Sequence, residues 1–251
     1  FAGNISAMVG NMSPITADQV QTENKTRLRR PVQRVDVQAD YKAVIFDYQD
    51  LLEIAGGSIA SVFGSDYMAI DSYKRCVRLP MEPYLLVSRV TKLDGRLGEF
   101  KPSTVTTEYD IPNKAWYTTD GHIPWAVAVE SGQCDLLLIS YLGIDFECKG
   151  EKVYRLLDCT LTFLDDMPRE GETLSYEISI NSFARHDQNL LFFFNYECFV
   201  GNKMVLRMDN GCAGFFSDDE LAQGKGLIHA EQEKEIKKKA EKLFFPQFLN
   251  C

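Results

Sequence analysis

Histidine is scarce in this chain, with three residues in 251, and tryptophan is scarcer still, with two. The histidines, His122, His186 and His229, lie far apart in sequence and near no cysteine pair. That spacing argues against a zinc site, whose ligands come in closely spaced pairs. Seven cysteines are present, but none forms a CxxC pair, and Cys134, Cys159 and Cys198 sit inside apolar runs. They read as buried thiols of a reducing, cytoplasmic compartment. No run approaches the roughly 18 consecutive apolar residues of a membrane-spanning helix, and no basic start followed by an apolar block suggests a signal peptide. A start at Phe1 in place of Met suggests a cut-out fragment.

Positive charge is also short: 27 Lys and Arg stand against 36 Asp and Glu, a net charge of -9. Such a chain repels nucleic acid and anionic membrane surfaces. Arg27, Arg29, Arg30 and Arg34 around Pro31 form a local exception. They read either as a contact for an acidic partner or as an exposed cluster on a linker. No serine sits in a GxSxG setting, no phosphate loop is present and no Cys–His pair can be argued.

What is present has the pattern of one α+β domain over 43–228, with a linker or extension over 1–42 and a polar connector helix and tail over 229–251. Asp47 can cap a helix from Tyr48 to Ala55, and a further turn runs from Ser58 to Phe63 before Gly64. Residues 83–93 read as a strand ending at the Asp94-Gly95 turn, and Thr104–Tyr109 as another. After a loop over 110–121, Pro124 opens WAVAVESGQCDLLLISYLG, residues 125–143. Proline suits a first helical turn. The run is long enough for five turns, and its apolar residues surround the axis, the mark of a buried helix. Four strands follow, over 153–164, 173–183, 190–200 and 203–216. In the first of these Leu157, Cys159, Leu161 and Phe163 alternate with polar residues and should face inward. Gly201-Asn202 is a two-residue hairpin turn, and Ser217 with Glu220 has capping-box spacing. A helix apolar on every side needs a sheet that curls around it, so the expected fold is a long antiparallel sheet wrapped around one central helix.

His122 and Glu130 are the candidate acid–base pair. Dehydration of a 3-hydroxyacyl thioester needs a base for the α-proton and an acid for the departing hydroxyl. Burial would keep a carboxyl protonated, and free N–H groups at a helix start can polarise a carbonyl. Gln133 could hydrogen-bond whatever Glu130 holds. Asp135 faces another side of the helix and should make a structural bond, and Phe192–Phe194 reads as core.

The Pro-initiated apolar helix with its internal acid resembles the hot-dog fold of bacterial 3-hydroxyacyl-ACP dehydratases. Over YDIPNKAWY (109–117), IPWAVAVESGQCDLLLISYLGIDF (123–146) and MDNGCAGFFSDDELAQGKG (208–226) the chain resembles the dehydratase region of multidomain microbial polyunsaturated fatty acid synthases. That resemblance covers about residues 43–228 and implies paired hot-dog units, one catalytic and one degenerate. It also implies a substrate carried on the phosphopantetheine of an acyl carrier protein, with no further cofactor. Glu130 falls on the family's acid position. The family has a histidine about fourteen residues ahead of that acid, where this chain has Trp116. His122 is only eight residues ahead, and Trp125 replaces the glycine that follows the family's proline. With six residues of helical rise from Pro124, His122 should stay on the order of 8–9 Å or more from Glu130. Trp116 and Trp125 would then occupy the space of the thioester. The resemblance therefore implies a degenerate unit that pairs with an adjacent hot dog. An active homodimeric dehydratase or thioesterase, or a stand-alone acyl-binding module, are the alternatives.

Overall fold

The computed structural model describes residues 43–186 and 189–223. The expected linker over 1–42 with its arginines, the polar helix over 230–242 and the apolar tail lie outside the described residues. Helix α1, Tyr48–Gly56, begins as its cap residue dictates. The Asp47 carboxylate accepts from Gln49 N at 2.9 Å and Asp50 N at 3.1 Å, and Asp50 reciprocates to Asp47 N. Helix α2, Ile59–Phe63, follows a Ser58 cap. Two short turns lead from there toward strand β1, Arg89–Asp94, and strand β2, Ser103–Asp110.

Three helical pieces come next: α3, Trp125–Ser131, α4, Asp135–Tyr141, and α5, Ile144–Cys148. They are followed by β3, Lys152–Phe163, β4, Thr173–His186, β5, Asn189–Val200, β6, Lys203–Ser217, and the short α6, Asp218–Gln223. Ser217 and Glu220 form the expected reciprocal cap of α6.

The six strands make one antiparallel sheet in the order β1-β2-β4-β5-β6-β3. The helices carry the chain from β2, beside one edge, to β3 at the other. Period-two burial is clean in β2, where Ser103, Val105, Thr107 and Tyr109 face inward. In β4, Leu174, Tyr176, Ile178 and Ile180 do the same. Val105, Tyr109 and the four β4 residues, with Phe192, Phe194 and Tyr196 of β5, share one core with Leu137, Leu138 and Ile139 of α4, all of them buried. A long antiparallel sheet around a buried central helix is the α+β hot-dog fold.

Three local expectations need correction. The central helix is not one five-turn rod. Gly132 N bonds Val129 O at 3.1 Å and Gln133 N bonds Glu130 O at 2.9 Å, both reaching back three residues, so the chain tightens for a step. Ala128 O, freed by that step, accepts from the Tyr176 hydroxyl at 2.6 Å, and Val129 O accepts from Tyr196 at 3.3 Å. Gly132 lies so close beneath the tyrosines that a Cβ there would stand 2.7 Å from Tyr196 Cζ. A second break falls at Gly143, whose φ of 87° is left-handed.

The strand expected over 83–93 starts only at Arg89. Leu85–Val87 are buried but lie against the helix, with Leu86 O accepting from Ser131 Oγ at 2.7 Å in place of a strand partner. Finally, β3 is an edge strand with no fully buried residue. Phe163, expected inside, is 47% exposed and packs on Trp125 with ring centroids 4.8 Å apart.

Candidate functional site

The step between α3 and α4 opens the helix wall, and a cleft forms there. One wall is helical, with Glu130, Ser131, Gln133 and Cys134; the other is the irregular strap from Leu79 to Val87. Most of this lining is apolar, and Glu130, Gln133, Ser131 and Tyr84 are its residues with polar groups. Glu130 is half-buried, and that burial alone raises its carboxyl above the usual range, toward the protonated form. Buried Gln133 places Nε2 4.0 Å from Met208 Sδ, a weak partner for an amide. Burial pushes the Cys134 thiol up to about 12, which makes it a poor nucleophile. The cleft is small, about the space of a single water, and a carboxyl acid and an amide border it.

His122 is not among the residues that line this cleft. Its backbone is tied into the preceding loop through reciprocal bonds with Thr119, each 3.0 Å, and bridges Arg169. Its ring Nδ1 lies 3.0 Å from Asp120 O, on an exposed stretch two residues ahead of the Pro124 cap. Trp125 turns to Phe163 at the end of β3. Trp116 lies 64% exposed on the loop before the helix and donates its indole N–H to Pro83 O at 3.3 Å. Its ring stands 6.4 Å from that of Tyr84. The sequence candidates thus separate into three places: Glu130 and Gln133 in the cleft, Trp116 at its outer rim, and His122 and Trp125 elsewhere.

Two further acids titrate unusually, and the sequence does not single them out for it. Asp135 is wholly buried, and burial pushes its carboxyl up to about 8 even though the Tyr154 hydroxyl donates to Oδ2 at 3.0 Å. Its Oδ1 has no partner. Asp145 is also buried and pushed up to about 7, with both oxygens accepting from Val77 N at 3.0 and 3.1 Å. An acid inside an apolar helical run is the available signal for both. The strap itself carries no local signature, because its burial depends on a helix some fifty residues later in the chain.

No protein-family model matches the chain. The chain is 47% identical over 204 residues to a polyunsaturated fatty acid synthase polypeptide from Thraustochytrium sp., a match covering 80% of this chain and 14% of that protein. It therefore spans about a seventh of that relative's length. Among solved structures, the dehydratase heterocomplex ApeI:P from Xenorhabdus doucetiae aligns at a TM-score of 0.41 and 15% identity, over 57% of this chain and 90% of the other. A probable thioesterase from Bartonella henselae aligns at 0.35 and 10%, over 45% and 90%. Likenesses at that level add nothing to the fold, which stands on the sheet order itself. Among the described residues no helix is long and apolar enough to cross a membrane.

Proposed function

We propose that this chain, a homologue of a segment of a polyunsaturated fatty acid synthase, is a hot-dog unit of a dehydratase region that supports the dehydration of 3-hydroxyacyl thioesters without carrying it out alone. One observation carries this reading: Glu130 has the acid half of the chemistry in its cleft, and among the described residues no histidine lines that cleft with it. Dehydration needs both halves within two bonds of substrate. Glu130 alone, held toward its protonated form, could donate to a leaving hydroxyl or hold a carbonyl but could not also remove the α-proton.

The supporting role is pairing. Strand β3 ends the sheet at one edge, and Leu156, Phe163 and Leu164 are 39%, 47% and 47% exposed along it. An edge strand with exposed apolar side chains is a template for another chain. A second hot-dog unit, either the neighbouring unit of the parent synthase or another copy, fits that edge. The substrate would arrive on the phosphopantetheine of an acyl carrier protein, in the cytoplasm, with no further cofactor.

Incubating the purified chain with a 3-hydroxyacyl thioester surrogate tests the reading. The chain alone should give no enoyl product, and the chain joined to the next segment of its parent should give it. Turnover by the isolated chain that is lost in both His122→Ala and Glu130→Gln would overturn the proposal in favour of an active homodimer, in which the partner copy brings histidine to Glu130.

A further inference from the structure

The strap that walls the Glu130 cleft is fastened very unevenly. At its start, Val77 N is held by both oxygens of buried Asp145. The next residue, Arg78, donates from its guanidinium to Ile54 O at 2.9 Å and Gly57 O at 2.8 Å, closing the carbonyl end of α1. At its finish, Leu86 O takes the Ser131 hydroxyl, and Ser88 N enters the ladder on Glu108 O at 2.8 Å. The Asp145 and Ser131 anchors are buried, and Leu85, Leu86 and Val87 are core residues.

The middle is different. Residues 81–84 form a turn closed by Tyr84 N on Met81 O at 2.9 Å, and Met81 and Tyr84 are 56% and 38% exposed. Besides the Tyr84–Trp116 ring contact, three contacts hold that turn down. Met81 rests on Gly56, the Tyr48 hydroxyl reaches Glu82 Oε1 at 2.5 Å, and Trp116 reaches Pro83 O. The hydrogen bonds among them are on the exposed side, where opening costs little. Tyr84 lines the cleft on its inner side and meets the Trp116 ring on its outer side. Trp116 belongs to the loop between β2 and α3, so it joins two segments that are otherwise separate in the chain.

We propose that the 81–84 turn is a gate over the Glu130 cleft, with Tyr84 as its leaf and Trp116 as the latch that holds it shut. The flanking anchors at Asp145 and Ser131 are the hinges: they stay fixed while the turn lifts. A guest reaches the buried inner wall of the cleft, Gln133 and Cys134, only when Trp116 releases Pro83 and Tyr84. The gate operates on access and is independent of whether the cleft turns a substrate over.

Cys134 provides the readout, because it lines the cleft and is 3% exposed with the gate shut. Cys198, buried in β5 and not among the cleft-lining residues, is the internal control. The chain is treated with a neutral alkylating reagent at constant pH, and modification is followed cysteine by cysteine by mass spectrometry. Losing one hydrogen bond and one aromatic contact is worth roughly a tenfold gain in the open state. Trp116→Ala should therefore quicken Cys134 labelling about tenfold and leave Cys198 unchanged. Trp116→Phe keeps a ring but loses the indole donor, and should give a smaller gain of about two- to threefold on the same scale. Hydrogen exchange should quicken in Trp116→Ala at residues 81–84 and remain unchanged in β4 and β5. Unchanged Cys134 labelling in either folded variant overturns the gate. So does a rise in Cys134 and Cys198 together, which reports global loosening. Should Trp116→Ala fail to fold, Trp116→Phe and the exchange pattern of the unaltered chain, in which residues 81–84 must open ahead of 85–87 and β4, decide it.

Discussion

Replacing Gly132 by alanine separates the tertiary account of the helix break from a purely local one. By propensity alone the change should help, since alanine in a helix is favoured over glycine by about 0.5–1 kcal/mol. The backbone raises no objection, because Gly132 has φ of -77° and ψ of -7°. The obstacle is space. The added Cβ would stand 2.7 and 2.8 Å from Tyr196 Cζ and Cε1 and 3.0 Å from Tyr176 Cε1. Neither ring can retreat easily, because both tyrosines are 0% exposed and both hydroxyls are bonded to helix carbonyls. Overpacking of a well-filled core costs about 1–3 kcal/mol. Subtracting the propensity gain leaves a net loss of up to about 2.5 kcal/mol, or a melting temperature lower by up to about 5–10 °C for a domain of this size. Urea and thermal unfolding of Gly132→Ala measure it. Made in a Tyr196→Leu background, the same substitution should cost much less, because the ring it strikes is gone. A Gly132→Ala chain that is more stable than the parent would refute the tertiary cause and return the break to local sequence.

Truncating the central helix gives a larger effect: Leu137→Ala and Leu138→Ala, each removing a side chain with 0% exposure, should cost about 2–5 kcal/mol by urea unfolding. An unchanged midpoint for both would deny them their buried place. Stability should also fall as pH rises. The folded carboxyls of Asp135 and Asp145 are pushed up to about 8 and about 7, against roughly 4 in an unfolded chain. The native state therefore binds protons that the unfolded state has released, so the stabilisation present below pH ~4 is lost on the way up to about 8. The urea midpoint at pH 6 should exceed that at pH 8.5, and Asp135→Asn should flatten the slope; a midpoint that climbs over that range contradicts the assignment. Light scattering at micromolar concentration should show self-association through β3, weakened by Phe163→Asp, and a strictly monomeric chain would count against pairing at that edge.

The parts of the fold legible in the sequence are those whose causes are local. Asp47, Ser217 with Glu220, and Gly201-Asn202 announce two helix starts and a hairpin because capping and turn chemistry act over two to four residues. Strand β4 shows its inner face every second residue from Leu174 to Ile180. The end of the strap over 79–87 reads as strand because Leu85, Leu86 and Val87 are as apolar as strand residues. What decides otherwise is Ser131, which takes Leu86 O from the far side of two strands and a loop. The helix break is invisible for a similar reason: Tyr176 and Tyr196, which capture the freed carbonyls, lie more than forty residues beyond it. At β3 the alternation is real, but period alone does not reveal that the strand would have a neighbour on one side only.

The position of Glu130 follows from that same break. Glu130 is in the last turn of α3, and the step that follows ends the helix one residue later. The opening left beside Gly132–Cys134 is the one the strap covers, so the acid faces a cleft at the middle of the helix. His122 is fixed two residues before the Pro124 cap of α3, by a turn on Thr119 and a bridge to Arg169. Moving it into the cleft would mean dismantling both and carrying the ring down the length of α3, about 10 Å for seven residues. A chain-internal His–Glu pair is thus opposed by the backbone at each end of the helix segment. The β3 edge, by contrast, can accept a second unit without disturbing either element. Among the described residues, no histidine lines the cleft with Glu130.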